Sequence, residues 1–168
     1  METLRPFVEK EILENLAKQV PELDVTSVET CLAFLHTTAE VYAALNTHFA
    51  RYGLSMGKFT LLMQLLHAPE QGLTPSECAE RAKVTRATIT GLLDGLERDG
   101  YVRRQPSLTD RRMLTIHLTE KGRLLLDNML PDHFCRTTKL MANLSYAEKL
   151  MLIELLAKVT AGAPAMSQ

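Results

Sequence analysis

A mainly α-helical chain carrying one two-stranded β-hairpin is predicted by three features of the 168-residue sequence. Apolar residues recur at spacings of three and four over most of its length, as on amphipathic helices. Thr74 with Glu77, and Ser145 with Glu148, place a hydroxyl and a carboxylate three residues apart at the head of two helical runs, the signature of a capping box. Between Tyr101 and Leu118 the period falls to two, and PSLTD supplies a turn between two strands.

Each element can be justified in order. Val8, Ile12, Leu16 and Val20 stand four apart with Pro21 as a stop, which predicts a helix over 4–20 within an N-terminal extension, residues 1–26. Ser27 is placed to cap a longer helix whose stripe is Val28, Leu32, Leu35, Ala39, Tyr42, Leu45 and Phe49, ending at Gly53. Ser55 restarts the chain, and KFTLLMQLLHA, apolar nearly all round, belongs in the middle of the core. Thr74 then caps a helix with Pro75 at its first position, and another runs from about 85 to 99, stopped by Gly100. The hairpin pairs 101–105 with 112–118 around a tip at 106–110; Leu114, Ile116 and Leu118 fall on one face, Met113, Thr115 and His117 on the other. Thr119 caps a long helix kinked at Pro131, Ser145 opens a last helix to about Val159, and 161–168 read as a flexible tail.

Composition narrows the function. At 46% hydrophobic and 23% charged the chain can bury one sizeable core. No apolar run reaches the ~20 residues that span a bilayer, and glutamates interrupt the first residues where a secretory signal is apolar, so no membrane partner and a cytoplasmic location are expected. Cys31, Cys78 and Cys135 are odd in number and far apart, suggesting neither a disulfide framework nor a metal site. The five histidines, His36, His48, His67, His117 and His133, form no HxxxH pair, so no metal and no cofactor are expected. With no glycine-rich phosphate loop, GxSxG, HExxH or clustered acid pair, an enzyme is not expected either. The formal charge of −1 hides a strong asymmetry: residues 81–123 hold ten basic and five acidic side chains, a net +5 against −6 elsewhere.

Helix, tight turn, helix and hairpin, in that order, make a winged helix-turn-helix, flanked here by helices suited to dimerisation. On the helix at 85–99, Ile89, Leu92, Leu93 and Leu96 form the buried stripe. The opposite arc is small and polar, Ala87, Gly91 and Arg98 flanked by Thr88 and Thr90, as a helix entering a major groove requires. Thr85 and Arg86 occupy its first turn, the end that points at bases. Four arginines flank the wing tip; Arg112, aimed by Asp110, suits an A·T-narrowed minor groove, and Arg103, Arg104 and Arg111 suit phosphates. Gly91 in mid-helix, costing about 1 kcal/mol relative to Ala, argues against a merely solvated helix.

The run VTRATITGLLDGLERDGYVRRQPSLTDRRMLTIHLTEKGRLLL resembles the DNA-binding core of the MarR family of bacterial transcription regulators. LLDGLERDGYVRR, the DRR at the wing tip and the LTEKG restart stand in the family's order and spacing, and the likeness extends from about 27 to 160. The resemblance implies a homodimer on a pseudo-palindromic double-stranded DNA operator, with residues 27–54 and 119–160 forming the dimerisation region and 55–118 the DNA-binding region. It places Thr85, Arg86, Thr88 and Thr90 on the major-groove face, Arg112 with Asp110 at the minor groove and Ser76 near backbone phosphates. It also implies release by a small aromatic or lipophilic effector, for which His36, Tyr42, Phe59 and Met63 are candidate lining residues. A dimer clamped over a promoter blocks polymerase without a further contact surface, so a repressor is expected over an activator.

Two other readings stay open. Cys31 is similar in position to the reactive cysteine of the family's hydroperoxide-sensing branch, but Leu45 and Met56 stand where that branch has tyrosines, which favours a buried structural cysteine. The winged helix could instead be a protein-interaction module, its arginines meeting an acidic partner; sequence preference on duplex DNA separates the two.

Overall fold

The computed structural model of the chain describes residues 10–106 and 113–166. Helices α1 (Lys10–Ala17), α2 (Val25–Ala50), α3 (Met56–Leu66), α4 (Pro75–Ala82) and α5 (Arg86–Arg98) precede strands β1 (Val102–Pro106) and β2 (Leu114–Leu118). Helices α6 (Glu120–Leu140) and α7 (Tyr146–Gly162) follow, then a 3₁₀ turn over Ala163–Met166. The fold is mainly helical, with a winged helix-turn-helix at its centre.

Local chemistry sets most boundaries. Ser55, Thr74, Thr85, Thr119 and Ser145 each accept a backbone N–H at a helix start, and the boxes with Glu77 and Glu148 are complete. Gly53 and Gly100 follow helix ends with φ of +69° and +78°, a conformation that costs glycine nothing. Helix α6 continues through Pro131.

Side chains from α3, α4, α5 and the hairpin build the core, closed by Phe49 of α2 and by Leu126 and Met129 of α6. Helix α3 is central, as its apolar circumference predicts: Leu61, Leu62 and Leu65 are buried, and it packs against α2, α4, α5, α6 and β2. The strands pair antiparallel from Val102 opposite Leu118 to Pro106 opposite Leu114. Leu73 adds a bridge to Ile116, with N–H···O distances of 3.2 and 2.7 Å, which anchors the hairpin root.

Several expectations need correcting. Helix α1 ends at Ala17, and the chain turns there with the N–H groups of Gln19 and Val20 donating to the Leu16 carbonyl. Along α1 Leu13 packs inward while Ile12 and Leu16 are exposed, as is Val20 beyond the helix end. Asp24, not Ser27, caps α2: its carboxylate accepts the Thr26 N–H and the Ser27 hydroxyl, and hydrogen bonds to a charged acceptor are stronger than those to a neutral one. Of the α2 stripe only Phe49 is fully buried; Leu35 and Tyr42 are more than half exposed because the lobe reaches only the C-terminal end of that helix. Cys31, expected to be buried, is exposed for the same reason, while Cys78 is buried and its thiol is pushed up to about 11, chiefly by burial. On β2, Ile116 and Thr115 are buried and Leu114 is exposed at the outer end of the hairpin, opposite Pro106. The Thr115 hydroxyl is taken up by His117 Nε2 at 2.9 Å and by the Gln105 carbonyl at 3.4 Å. At the other terminus ordered helix runs to Gly162 and the 3₁₀ turn to Met166, where a flexible tail was expected. Among the described residues no helix is long and apolar enough to cross a membrane.

Candidate nucleic-acid interface

The helix pair is held at both ends by backbone chemistry. Glu77 accepts the Thr74 N–H at 2.7 Å and its hydroxyl at 2.8 Å, and these bonds hold the Glu77 carboxyl below its usual range. Ser76 lies exposed in the first turn of α4. The helix stops at Lys83, which adopts φ +52°, the one non-glycine residue with positive φ among the described residues. Two residues later Thr85 caps α5 by accepting the Thr88 N–H.

Helix α5 is seated by Ile89, Leu93 and Leu96, all buried, with Leu92 packed alongside. Glycines ease the approach to α3: a Cβ on Gly95 would lie 3.1 Å from Lys58 Cε, and one on Gly57 would lie 3.2 Å from Leu92. Lys58 crosses to Asp99 with a 2.6 Å bond that keeps this carboxyl below its usual range. On the outer side Thr85, Arg86, Ala87, Thr88, Thr90, Gly91 and Arg98 are all exposed. A Cβ at Gly91 would meet nothing within 4 Å, so no internal packing requires that glycine. The threonine hydroxyls are engaged within the helix: Thr85 and Thr88 pair at 2.9 Å, and Thr90 donates to the Arg86 carbonyl at 2.9 Å.

The adjacent arginines of β1 part company, as alternate strand residues do. Arg103 is exposed, paired across the strand with His117. Arg104 is half-buried and bonded to Asp94 at 2.5 Å and Glu97 at 2.6 Å, which raises its guanidinium pKa, the Asp94 bond first. Sequence patterns marked Arg104 as a free cation and passed over both carboxylates, which lie seven and ten residues away on another element. Asp110, Arg111 and Arg112 lie outside the described residues.

The four candidate ligand residues do not meet in one cavity. His36 borders a shallow groove with Leu32, Leu35 and Ala39, and Tyr42 another with Phe34, Leu155 and Val159. Phe59 stacks on Phe49 at 4.4 Å, and Met63 packs against the core. A different pocket, of about 420 Å³ between α2 and α6, is lined by Val41, Leu45, His48, Arg51, His133 and Arg136 among others. The His48 and His133 rings stack at 5.4 Å. His48 is only 6% exposed, and both its ring nitrogens, with His133 Nδ1, are buried without a hydrogen-bond partner. The signal for His48 lay in its position beside Phe49; for His133, 85 residues away, there was none. Among the described residues no group of three His, Cys, Asp or Glu side chains could hold a metal ion.

A model of the MarR family matches residues 52–113, from just after α2 to just before β2. The HTH-type transcriptional repressor YetL of Bacillus subtilis (strain 168) is 41% identical over 147 residues, 88% of this chain and 87% of that protein. The chain belongs to the MarR family. The HTH-type transcriptional regulator PecS of Dickeya dadantii (strain 3937), at 29% identity over 89% of this chain and 90% of its own, is a further MarR-type relative. Solved structures give the same fold. A MarR family regulator of Streptomyces coelicolor in complex with DNA has a TM-score of 0.76 at 22% identity, covering 84% of this chain and 89% of that one. The repressor CouR bound to a 23-mer DNA duplex has 0.72 at 25%, covering 83% and 99%. Like other MarR proteins this one is a DNA-binding transcription regulator and not an enzyme.

Proposed function

We propose that the protein is a homodimeric repressor that binds a pseudo-palindromic operator and releases it when a small aromatic or lipophilic effector binds. The observation that carries the DNA side is the outer face of α5: small, polar, exposed and opened by a glycine that no internal contact requires. Thr85, Arg86, Thr88 and Thr90 read the major groove, Arg112 aimed by Asp110 enters the minor groove, and Ser76, Arg103 and Arg111 hold phosphates. The name repressor is that of YetL, which aligns over most of both chains. For the effector, the α2–α6 pocket, lined by Val41, Leu45 and Leu140 with Arg51 and Arg136, is a further candidate beside His36, Tyr42, Phe59 and Met63.

Residues 55–118 form the DNA-binding region, and α2, α6 and α7 the dimerisation region. Supporting this division, the chain exposes 12,400 Å², against roughly 8,300 Å² for a compact monomer of its mass. Helix α7 has no buried residue, although Leu150, Met151, Ile153, Leu155 and Val159 lie along it.

Selection of duplexes from random DNA at fixed near-physiological salt, with wild type and Arg112→Ala, tests the reading. The expected result is an inverted repeat with half-sites about one helical turn apart, bound less well by the variant. No enrichment by the wild type would reject operator binding, and enrichment indifferent to Arg112 would reject the wing assignment.

A further inference from the structure

Helix α5 has to approach a polyanion, yet it carries Asp94 and Glu97 on the side that faces β1. Both carboxylates are held by one side chain. Arg104 Nη2 donates to Asp94 Oδ1 at 2.5 Å and Nη1 to Glu97 Oε2 at 2.6 Å, while the Arg104 backbone N–H donates to Glu97 Oε1 at 3.1 Å. The Arg104 side chain is 27% exposed, against 58% for Asp94 and 37% for Glu97, so the guanidinium lies beneath the acids it serves. Three bonds thereby tie the first strand of the wing to the last two turns of α5.

We infer that Arg104 is a positioning residue, which serves DNA binding by clasping Asp94 and Glu97 and makes no phosphate contact of its own. The clasp has two effects. It offsets carboxylate charge that would otherwise repel phosphate, and it fixes the root of the wing to the helix, so that helix and wing approach adjacent grooves in one geometry. A planar guanidinium with forked donors can hold two carboxylates at once; an ammonium is a single point charge. The inference rests on the DNA-facing assignment of α5.

Salt dependence separates this role from phosphate binding, because each phosphate contact contributes about 0.9 to the slope of log K against log salt. The full-length protein is titrated, over a series of salt concentrations, against the duplex it enriches from random DNA. Arg104→Ala is expected to weaken binding on the order of tenfold, most of all at low salt, since it uncovers like charge beside phosphate that salt then screens. Arg103→Ala, the phosphate control, is expected to flatten the slope by about 0.9. Adding Asp94→Asn and Glu97→Gln to Arg104→Ala is expected to restore most of the lost affinity together with the wild-type slope, whereas removal of a phosphate ligand would leave the slope short by about 0.9. A slope flattened by about 0.9 in the triple variant, or no recovery of its affinity, overturns the inference. Should Arg104→Ala not fold, Arg104→Lys is titrated with and without Asp94→Asn and Glu97→Gln: a loss in the single variant that vanishes once the two acids are neutral supports the clasp, and full affinity of Arg104→Lys alone refutes it. Absence of binding by the wild type overturns the DNA-facing assignment and the inference together, so the two failures are distinguishable.

Discussion

Gly91 and Gly122 have the same side chain and opposite reasons for it. A Cβ on Gly122 would collide with the Tyr101 carbonyl oxygen and lie 2.7 Å from Leu118 Cδ1, so glycine there lets α6 start against the wing root. A Cβ on Gly91 would project into open space from the middle of α5. Alanine at 91 therefore removes a helix penalty of about 1 kcal/mol without an internal clash, and Gly91→Ala is expected to raise the unfolding free energy by that amount. It is also expected to weaken duplex binding, because the added methyl stands on the face assigned to the groove. Unfolding curves and DNA titration on the same samples check both halves; a stabilised variant with undiminished affinity would remove this face of α5 from the interface. Sequence spacing alone could mark Gly91 as unusual. That Gly122 is sterically required could not be read there, because Tyr101 and Leu118 reach it only through the closed hairpin.

At the scale of elements, the junction of α2 with α6 is governed by two imidazoles. His48 and His133 stack on each other beside the Phe49–Phe59 pair, with His133 4.9 Å from the Phe59 ring. Burial pushes both pKa values below the usual 6.5; Arg136 and Arg51 push His48 the same way and His48 pushes His133, while Asp132 opposes both shifts. Asp132 stands 3.8 Å from His48 Nδ1 and is bonded to Arg136 at 2.8 Å and Tyr52 at 3.3 Å. A base whose folded pKa is depressed takes up protons first in the unfolded chain, so stability falls as pH drops below about 6.5 and levels off beneath the folded values. His117, also depressed by burial and by Arg103, adds a slope of the same sign. The difference between wild type and His133→Phe isolates the junction: the variant is expected to lose less stability between about pH 6.5 and pH 5. Parallel pH profiles for the two proteins would show that His133 stays ordinary in the folded chain. Helix starts were legible because a cap and its acceptor lie within four residues, as at Thr74 and Ser145. The stacked pair was not, since one partner lies on α2 and the other on α6, and local patterning favoured His36.

For the whole molecule, the decisive quantity is apolar surface without a cover. Leu155 and Val159 of α7 face Phe34, Val41 and Tyr42 of α2 across a groove of about 600 Å³. Leu155 and Tyr42 remain about half exposed there. The sequence foretold this surplus only in part: the α2 stripe and the last helix were recognisably amphipathic, but which side chains the lobe itself would cover depends on how few of them α3 and α6 reach. The proposed homodimer accounts for the remainder by burying α2, α6 and α7 against their symmetry mates. Sedimentation is expected to give twice the 18.8 kDa chain mass, and the melting temperature should rise with protein concentration. Leu155→Lys supplies the sharper test. In an isolated chain this position is half in water and tolerates a charge; within a dimer the ammonium would be buried unpaired. The variant is expected to sediment as a monomer at concentrations where the wild type is dimeric, and to lose operator affinity by far more than its own melting temperature falls. Two half-sites then have to be occupied by independent chains, and the gain from linking them disappears. A Leu155→Lys protein that stays dimeric and binds the inverted repeat as the wild type does would take this groove out of the interface.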